Sequence, residues 1–244
     1  IETATNTMVL GGYNTTFPSS VTTIGSYAFT KRGLSSEIPN TITSIGDCAF
    51  MESGISTIVI PDSVTSLGKN IFKTTNYLQS VTLPNSITTI PEGMFQGCNV
   101  KLTSITIPNS VTTIEKHAFY ACSKLQTVIW GTSVTTIGDS AFASTALTSI
   151  TIPDSVTSVG DDAFNYCSAL TTVTLGKGLT TIGTSAFGSC SALAKVHLTC
   201  DSVFEKTFGT TTTKFYVPDE LYDSYLSSEI WAENTSQIYK ESES

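Results

Sequence analysis

The sequence predicts an α/β solenoid. We expect a right-handed coil of stacked repeats with a parallel β-ladder on its concave face, short helical or 3-10 turns opposite, and a small C-terminal cap. Three observations lead to this fold class. A phenylalanine recurs at steps of 21 to 24 residues, aliphatic residues stand at constant distances before it, and most length variation falls in the one segment after it. Constant spacing is typical of the packed frame of a repeat protein, and variable length of its loops.

The recurring aromatic residues set the columns of the repeat. They are Phe29, Phe50, Phe72, Phe95, Phe119, Phe142, Phe164 and Phe187. Five residues before each stands an aliphatic residue such as Ile114, and three residues earlier another such as Val111. One repeat cannot bury its own apolar side, so we expect neighbouring repeats to stack as rungs around one continuous core.

Within one repeat, three segments have distinct signatures. Residues 102–107 alternate at period two, which places Ile105 and Ile107 inward and their polar neighbours outward. The Pro-Asn-Ser sequence at 108–110 predicts a turn in which the Asn and Ser side chains bond the local backbone. Residues 118–125 leave room for one helical or 3-10 turn.

We expect three parts along the chain: an N-terminal cap or partial repeat at 1–17, a solenoid of about eight repeats at 18–200, and a C-terminal capping segment at 201–244. The terminal rungs of a solenoid need such covers. A ninth, decayed repeat is expected around Phe208.

The C-terminal segment has recognisable elements. Lys214–Val217 predicts a strand, and the Pro-Asp pair at 218–219 predicts the start of a short helix. The large side chains expected to close the core are Leu221, Tyr225 and Trp231. The last four residues, 241–244, are expected to form a frayed acidic end.

Composition limits the class of partner. The net charge is −8 and only 13% of residues are charged, so the chain lacks the basic face that nucleic acids or anionic lipids require. No stretch approaches the roughly 18–20 apolar residues of a membrane span. The chain opens at Ile1 instead of Met, and we expect either a trimmed chain or a mature fragment, with the signal peptide and any anchor outside it.

One cluster has the residue types of a catalytic site. Glu115, His117 and Cys122 match an orienting charge, a base and a thiol nucleophile. The column of Cys122 argues against this function, because three of its four cysteines lack such a histidine. That column holds Arg32, Ser53, Thr75, Cys98, Cys122, Thr145, Cys167 and Cys190. We therefore expect buried free thiols and no catalytic residue.

Disulfide and metal sites are also disfavoured. The cysteines Cys98 and Cys122 lie on adjacent rungs, but their parallel Cβ directions suit a disulfide poorly. The chain has no C-x₂-C pair of the kind that binds zinc, and no metal or cofactor is expected. The other histidine, His197, is expected to be a lone solvated side chain beside Lys195.

One column carries charges of alternating sign. Three residues before successive phenylalanines stand Asp47, Lys69, Glu92, Lys116 and Asp139. Opposite charges on neighbouring rungs predict a surface ladder of ion pairs, each contributing about 0–1 kcal/mol.

The outward positions of the long strands form the predicted partner-binding face. Their tentative members are Thr57, Val59, Ser80, Thr82, Ser104, Thr106, Thr127, Ile129, Ser149, Thr151, Thr172 and Thr174. Repeat proteins commonly bind partners on such extended surfaces, although this face largely lacks the Trp, Tyr and Arg that anchor strong interfaces. Rival contact residues on the loops are Arg32, Tyr77, Tyr120 and Tyr166.

The repeat L-x-x-I-x-I-P-x-S-V-T-x-I-G-x-x-A-F-x-x-C resembles the leucine-rich repeat of the BspA-like (Treponema pallidum-type) family of surface proteins. The resemblance covers about residues 10–200, and the copy LTSITIPDSVTSVGDDAFNYCSAL at 147–170 matches closely. The first repeat departs most, with KRGLSSEIP in place of a full strand. The resemblance implies a secreted or cell-surface protein of adhesion or protein–protein contact, and it brings no catalytic residues.

Three functions stay open on the sequence. The first is a non-enzymatic adhesion or interaction solenoid that binds a protein, such as a host extracellular-matrix or cell-surface protein. The second is a rigid spacer that displays other domains. The third is a hydrolase built from the loops, for which two histidines and scattered carboxylates offer little material. In each case we expect a monomer.

Overall fold

Two sets of short parallel strands alternate along the chain. A computed structural model describes residues 6–12, 14–35, 37–199, 212–229 and 235–244. The longer strands are Thr57–Val59 (β4), Ser80–Thr82 (β6), Ser104–Thr106 (β8), Thr127–Ile129 (β10), Ser149–Thr151 (β12), Thr172–Leu175 (β14), Lys195–Leu198 (β16), Lys214–Val217 (β17) and Ile238–Lys240 (β18). We call the outer surface of these strands the strand face.

A second ladder runs beside the strand face and consists of two-residue strands. These are Thr7–Met8 (β1), Thr23–Ile24 (β2), Ser44–Ile45 (β3), Ser66–Leu67 (β5), Thr89–Ile90 (β7), Thr113–Ile114 (β9), Thr136–Ile137 (β11), Ser158–Val159 (β13) and Thr181–Ile182 (β15). All pairs in both sets are parallel. The strands of the longer set form three sheets: β4 with β6, β8 with β10, and β12 with β14, β16, β17 and β18. The predicted parallel solenoid is therefore confirmed.

The alternation predicted for the long strands is confirmed as well. In β8, Ile105 is buried, while Ser104 and Thr106 are exposed. The pairing of β8 with β10 aligns Ile105 with Val128, so inward residues stack on inward residues. This register places the hydroxyl side chains on the strand face.

The core is organised around a column of stacked phenylalanine rings. All eight rings from Phe29 to Phe187 are buried, and successive centroids lie 4.9 to 5.5 Å apart at interplanar angles of 2 to 16°. Such spacing is typical of attractive aromatic stacking. Phe17 extends the column at the N-terminal end, where its tilted ring lies 6.1 Å from Phe29.

The segment around each phenylalanine forms tight turns, and no helix occurs in the described residues 118–125 where a helical turn was predicted. His117 and Ala121 have left-handed backbone, with φ of 58° and 57°. The amides of His117, Phe119 and Ala121 donate to carbonyls of the next rung at 2.7 to 3.0 Å. Because these amides point along the stack, they cannot make the bonds inside a helical turn.

The turn side chains also bond between rungs, which corrects the prediction that they bond the local backbone. Asn109 Oδ1 accepts a hydrogen bond from the Thr132 amide of the next rung at 3.1 Å. Ser155 Oγ donates to the Val134 carbonyl of the preceding rung at 2.7 Å. Parallel stacking brings equivalent turns together, so the nearest open backbone group belongs to a neighbouring rung.

Pro91 interrupts the second ladder between β5 and β7. In neighbouring rungs the residue at this position donates its amide to the preceding rung, as Gly68 and Glu115 do at 2.8 and 2.9 Å. Proline has no N–H to donate. The ladder is consequently divided into one sheet ending at β5 and another beginning at β7.

The C-terminal segment closes one end of the stack. The predicted strand is β17, and the predicted helix comprises a 3-10 turn at Asp219–Leu221 followed by Tyr222–Ser227 (α1). Tyr225 is fully buried and Leu221 packs against the core, as predicted. Trp231 and Phe208 lie outside the described residues. Within the described ranges, the helices are all too short or too polar to cross a bilayer.

The last residues are ordered by contacts, which corrects the prediction of a frayed end. Glu241–Glu243 forms a 3-10 turn. The Ser242 hydroxyl donates to Asp219 Oδ2 at 2.7 Å, and the Ser242 amide donates to Oδ1 of the same carboxylate at 3.1 Å. These bonds hold the terminus against the start of the 3-10 turn that precedes α1.

Candidate functional site

The structure places the predicted partner-binding residues on one surface. Thr57 aligns with Ser80 and Val59 with Thr82 in the pairing of β4 with β6, and the same two outward columns continue through β14. Most of these residues are exposed, but Thr172 and Thr174 are half-buried. The two apolar members stand out, because Val59 is 60% exposed and Ile129 is 54% exposed.

A cleft of about 600 Å³ opens at the N-terminal end of the strand face. Its outer wall includes Thr57, Val59, Ser80 and Thr82, and its other side is formed by residues 33–35, 37, 38 and 40. These residues form no strand, unlike the matching segments of later rungs. The shortened sequence of this rung therefore leaves open space where another strand of the ladder would lie.

The C-terminal end of the strand face carries an aromatic and cationic patch that the sequence analysis missed. The His197 ring stacks on Tyr216 at 5.1 Å, and Tyr216 lies 5.6 Å from Tyr239. Lys195 Nζ lies 5.3 Å from the Tyr216 ring centre, and Lys214 Nζ lies 5.0 Å from that of Tyr239. These distances fit cation–π contacts.

The patch corrects two expectations. His197 is not a lone solvated side chain, because its Nδ1 lies 3.0 Å from Glu241 Oε1 and its ring is stacked. The face also has tyrosines, since β17 and β18 continue the ladder beyond Leu198, where the sequence period ends. A sequence signal existed: KVHL and KFYV share the pattern of a lysine followed two residues later by a ring.

The supposed catalytic triad is not assembled. Cys122 is fully buried, and its thiol donates to the Phe95 carbonyl at 3.0 Å. Burial raises the pKa of this thiol well above its usual value. The His117 ring instead packs edge-on against Tyr120 at 5.6 Å. An activated thiol needs a base within hydrogen-bond reach and a lowered pKa, and Cys122 has neither.

Sequence comparison identifies the repeat. The model of the BspA type leucine rich repeat region matches in six copies, over residues 13–102 and 98–213. This chain belongs to the BspA-type leucine-rich repeat family. No functionally curated protein matches it.

Solved structures of bacterial leucine-rich repeat proteins are similar to this family member. One from Bacteroides ovatus is 30% identical with a TM-score of 0.71, and the alignment covers 91% of this chain and 58% of that one. A leucine rich cell surface protein from Faecalibacterium prausnitzii is 26% identical with a TM-score of 0.52, covering 77% and 59%. A leucine-rich repeat protein of T. pallidum, 21% identical with a TM-score of 0.51 and covering 85% and 88%, shares the fold. This BspA-type chain thus spans under two thirds of the first two relatives.

The cysteine column has a shared structural function in this BspA-type chain. Cys98 donates its thiol hydrogen to the Phe72 carbonyl at 3.0 Å, and Thr75 donates its hydroxyl to the Phe50 carbonyl at 2.7 Å. Burial raises the pKa of Cys98 to about 12. The described cysteines are buried free thiols: Cys48, Cys98, Cys122, Cys167 and Cys190. In these rungs a thiol and a hydroxyl therefore supply the same bond, whereas the Ser53 hydroxyl in the same column is buried without a partner among the described residues.

The alternating charges pair across the point where Pro91 divides the second ladder. Glu92 Oε2 lies 2.7 Å from Lys69 Nζ, and Glu92 Oε1 lies 3.4 Å from Lys116 Nζ. The hydrogen bond from Lys69 lowers the pKa of Glu92. Predicted pairing is confirmed here, whereas Asp47 and Asp139 bond backbone amides of the next rung at 2.7 and 3.0 Å. Among the described residues, no group of His, Cys, Asp and Glu has the arrangement of a metal site.

Replacing Glu92 by glutamine is expected to lower the free energy of unfolding at pH 7 by at most about 1 kcal/mol, because the pair is partly solvated. The folded-state pKa of Glu92 is lowered, so its contribution exists above the unfolded-state pKa and is lost as pH falls through the folded value. Urea unfolding at pH 7 and below pH 3 measures this. A difference between the two proteins that persists at acid pH would contradict the ion-pair explanation.

Proposed function

We propose that this chain is a non-enzymatic protein-interaction module of a bacterial cell surface and that its partner binds the strand face. In this proposal residues 18–200 carry the binding surface, between the N-terminal segment 1–17 and the C-terminal cap 201–244. Membership of a family of leucine-rich repeat surface proteins supports the general function. One observation favours this face: it exposes Val59 and Ile129 among small hydroxyl side chains, and Val59 also lines the cleft of about 600 Å³.

Isolated apolar side chains on an extended polar surface suit the binding of another protein. Each can be buried by a partner, while the surrounding hydroxyls supply hydrogen bonds at the rim. The partly exposed Tyr239 and the exposed Lys195 and Lys214 add an aromatic ring and cations at the C-terminal end of this face, and aromatic side chains are common anchors of strong interfaces. We include a host extracellular-matrix or cell-surface protein as the partner class, bound by a secreted or surface-attached monomer.

A rigid spacer is the second candidate, and the continuous aromatic column favours it. Phe rings stack without a break from Phe29 to Phe187, and amides bond from each rung to the next. A solenoid held in this way resists bending between rungs. In that case the strand face would need no partner, and the chain would set the distance between other domains.

Binding of the isolated chain to purified fibronectin, laminin and collagen separates these candidates. We expect saturable binding to at least one of them and its loss in Ile129→Glu, which puts a charge on the strand face. Tyr166→Ala is the matched control, because Tyr166 is an exposed loop side chain, 64% accessible, on another surface. Loss only in Tyr166→Ala would assign binding to the loops, and absence of binding to all three proteins would favour the spacer.

A further inference from the structure

The first strand of the strand face, β4, has one edge without a partner strand. Its only partner strand in the described part of the chain is β6. The rung before it contributes residues 33–35 and 37–38 to the neighbouring space, but they form no strand. The opposite end of this ladder differs, because α1 packs on β18.

The register identifies the backbone groups on the open edge. Ser80 donates to the Ser56 carbonyl at 3.2 Å, and Ile60 donates to the Thr82 carbonyl at 3.0 Å, so positions 56, 58 and 60 face β6. Backbone groups of alternate residues in a parallel strand face opposite neighbours. The amide and carbonyl groups of Thr57 and Val59 therefore point away from β6. These groups make no hydrogen bond to residues 33–35, 37 or 38, the described residues of the preceding rung on this side.

The cleft beside this edge suits an extended peptide. Ile38 and Ile55 are buried at its floor, Leu34 is partly buried, and Val59 projects from the strand face. Among the described residues that line the cleft, Glu37 is the single charged one, and its side chain is exposed. An added strand would form hydrogen bonds with the open backbone groups of β4. Alternate apolar side chains of that strand would lie over the floor of the cleft, and a cationic side chain of the same strand could pair with Glu37.

We propose that the open edge of β4 binds an extended segment of a partner protein by β-strand addition, with a lysine or arginine of that segment facing Glu37. Natural proteins usually cover or disrupt exposed strand edges, whereas recognition domains that add a peptide strand keep one available. The proposal deepens the proposed function, since it rests on partner binding at the strand face and names the chemistry of the bound segment.

A direct test uses a dye-labelled peptide with the sequence KLTSITI, which is residues 101–107 of this chain and contains strand β8 at 104–106. Fluorescence anisotropy should show saturable binding to the whole chain. The same peptide N-methylated at its central amides should not bind, because strand addition requires those donors. The N-methyl comparison uses the unaltered protein, so it does not depend on the folding of any variant.

Three variants locate the binding edge. Val59→Pro removes an amide that faces the open edge and should weaken binding about ten-fold or more. Val59→Thr keeps the amide and should stay within about three-fold of the parent protein. Glu37→Gln should weaken binding about two- to five-fold, less at high salt. Circular dichroism and melting of each variant establish that the fold is retained.

Four outcomes would overturn the proposal: no saturable binding of KLTSITI, equal binding of the N-methylated peptide, unchanged binding by a folded Val59→Pro, or a dimer of the chain that Val59→Pro disrupts. The last would identify a second copy as the occupant. The matrix-protein assay distinguishes failure of the two proposals. If Ile129→Glu abolishes matrix binding while Val59→Pro does not, the strand face binds its partner but the β4 edge does not.

Discussion

Replacing Phe119 by alanine is expected to lower the free energy of unfolding by about 3–5 kcal/mol. The ring is fully buried in the middle of the aromatic column, 5.1 Å from Phe95 and 4.9 Å from Phe142. Alanine would remove contacts to both neighbouring rungs and leave a cavity that the stacked backbone cannot close. Urea unfolding followed by far-ultraviolet circular dichroism measures the loss.

Tyr120→Ala is the control for this change, because the neighbouring side chain is partly exposed and lies outside the core. We expect it to change stability by no more than about 0.5 kcal/mol. Phe17→Ala should have an intermediate effect, since Phe17 contacts a ring of the column on one side only and is partly buried. A loss below about 1 kcal/mol in Phe119→Ala would contradict a core held by the stacked rings.

Replacing Gly138 by alanine is expected to destabilise the chain by about 1–3 kcal/mol. An added Cβ would lie 2.7 Å from the Lys116 amide nitrogen and 2.9 Å from the Glu115 carbonyl carbon. Both atoms belong to the backbone of the preceding rung, so relief requires the rungs to separate. Thermal and urea unfolding should both show the loss, and hydrogen exchange should increase first at the β9–β11 pair.

Gly54→Ala is the matched control, because an added Cβ there meets nothing within 4 Å. We expect unchanged or slightly higher stability, since alanine restricts the unfolded chain. Equal losses of stability in Gly138→Ala and Gly54→Ala would show that close contact between rungs is not the reason for glycine at position 138. The same column holds Pro91 and Glu115, and both line a cleft of about 360 Å³ beside the point where Pro91 divides the second ladder.

Much of the packed core could be predicted from the sequence, because each position of the repeat occurs several times in the same structural environment. The column of Phe119 is invariably aromatic and proved to be the stacked core, and the alternation in residues 102–107 assigned the inward side chains. The column of His117 varies freely, which argued against a triad with Cys122, and in the structure the Cys122 thiol is buried and donates to the Phe95 carbonyl. The left-handed backbone of this column could not be predicted, because glycine, the residue typical of positive φ, occurs there in only one rung, at Gly93.

The features that escaped prediction depend on pairs of rungs. The bond of Asn109 joins it to a residue 23 positions away, whereas turn rules describe only local partners. β17 and β18 carry no repeat signature, yet they continue the ladder and bring Tyr216 and Tyr239 to the strand face. The tyrosines were therefore missing from the predicted face, because no repeat signature indicated that these two strands extend the ladder.

The sequence alone determined the solenoid, its core columns and the two outward rows of the strand face, because each follows from side-chain periodicity within single repeats. Only the tertiary structure decided where the ladders are interrupted and where the surface is open. Pro91 divides one ladder through a missing amide, and residues 33–35 and 37–38 of the shortened rung supply no strand to the edge of β4. Both effects arise between rungs, because the backbone groups of one strand can form ladder hydrogen bonds only if the neighbouring rung supplies a matching donor or acceptor.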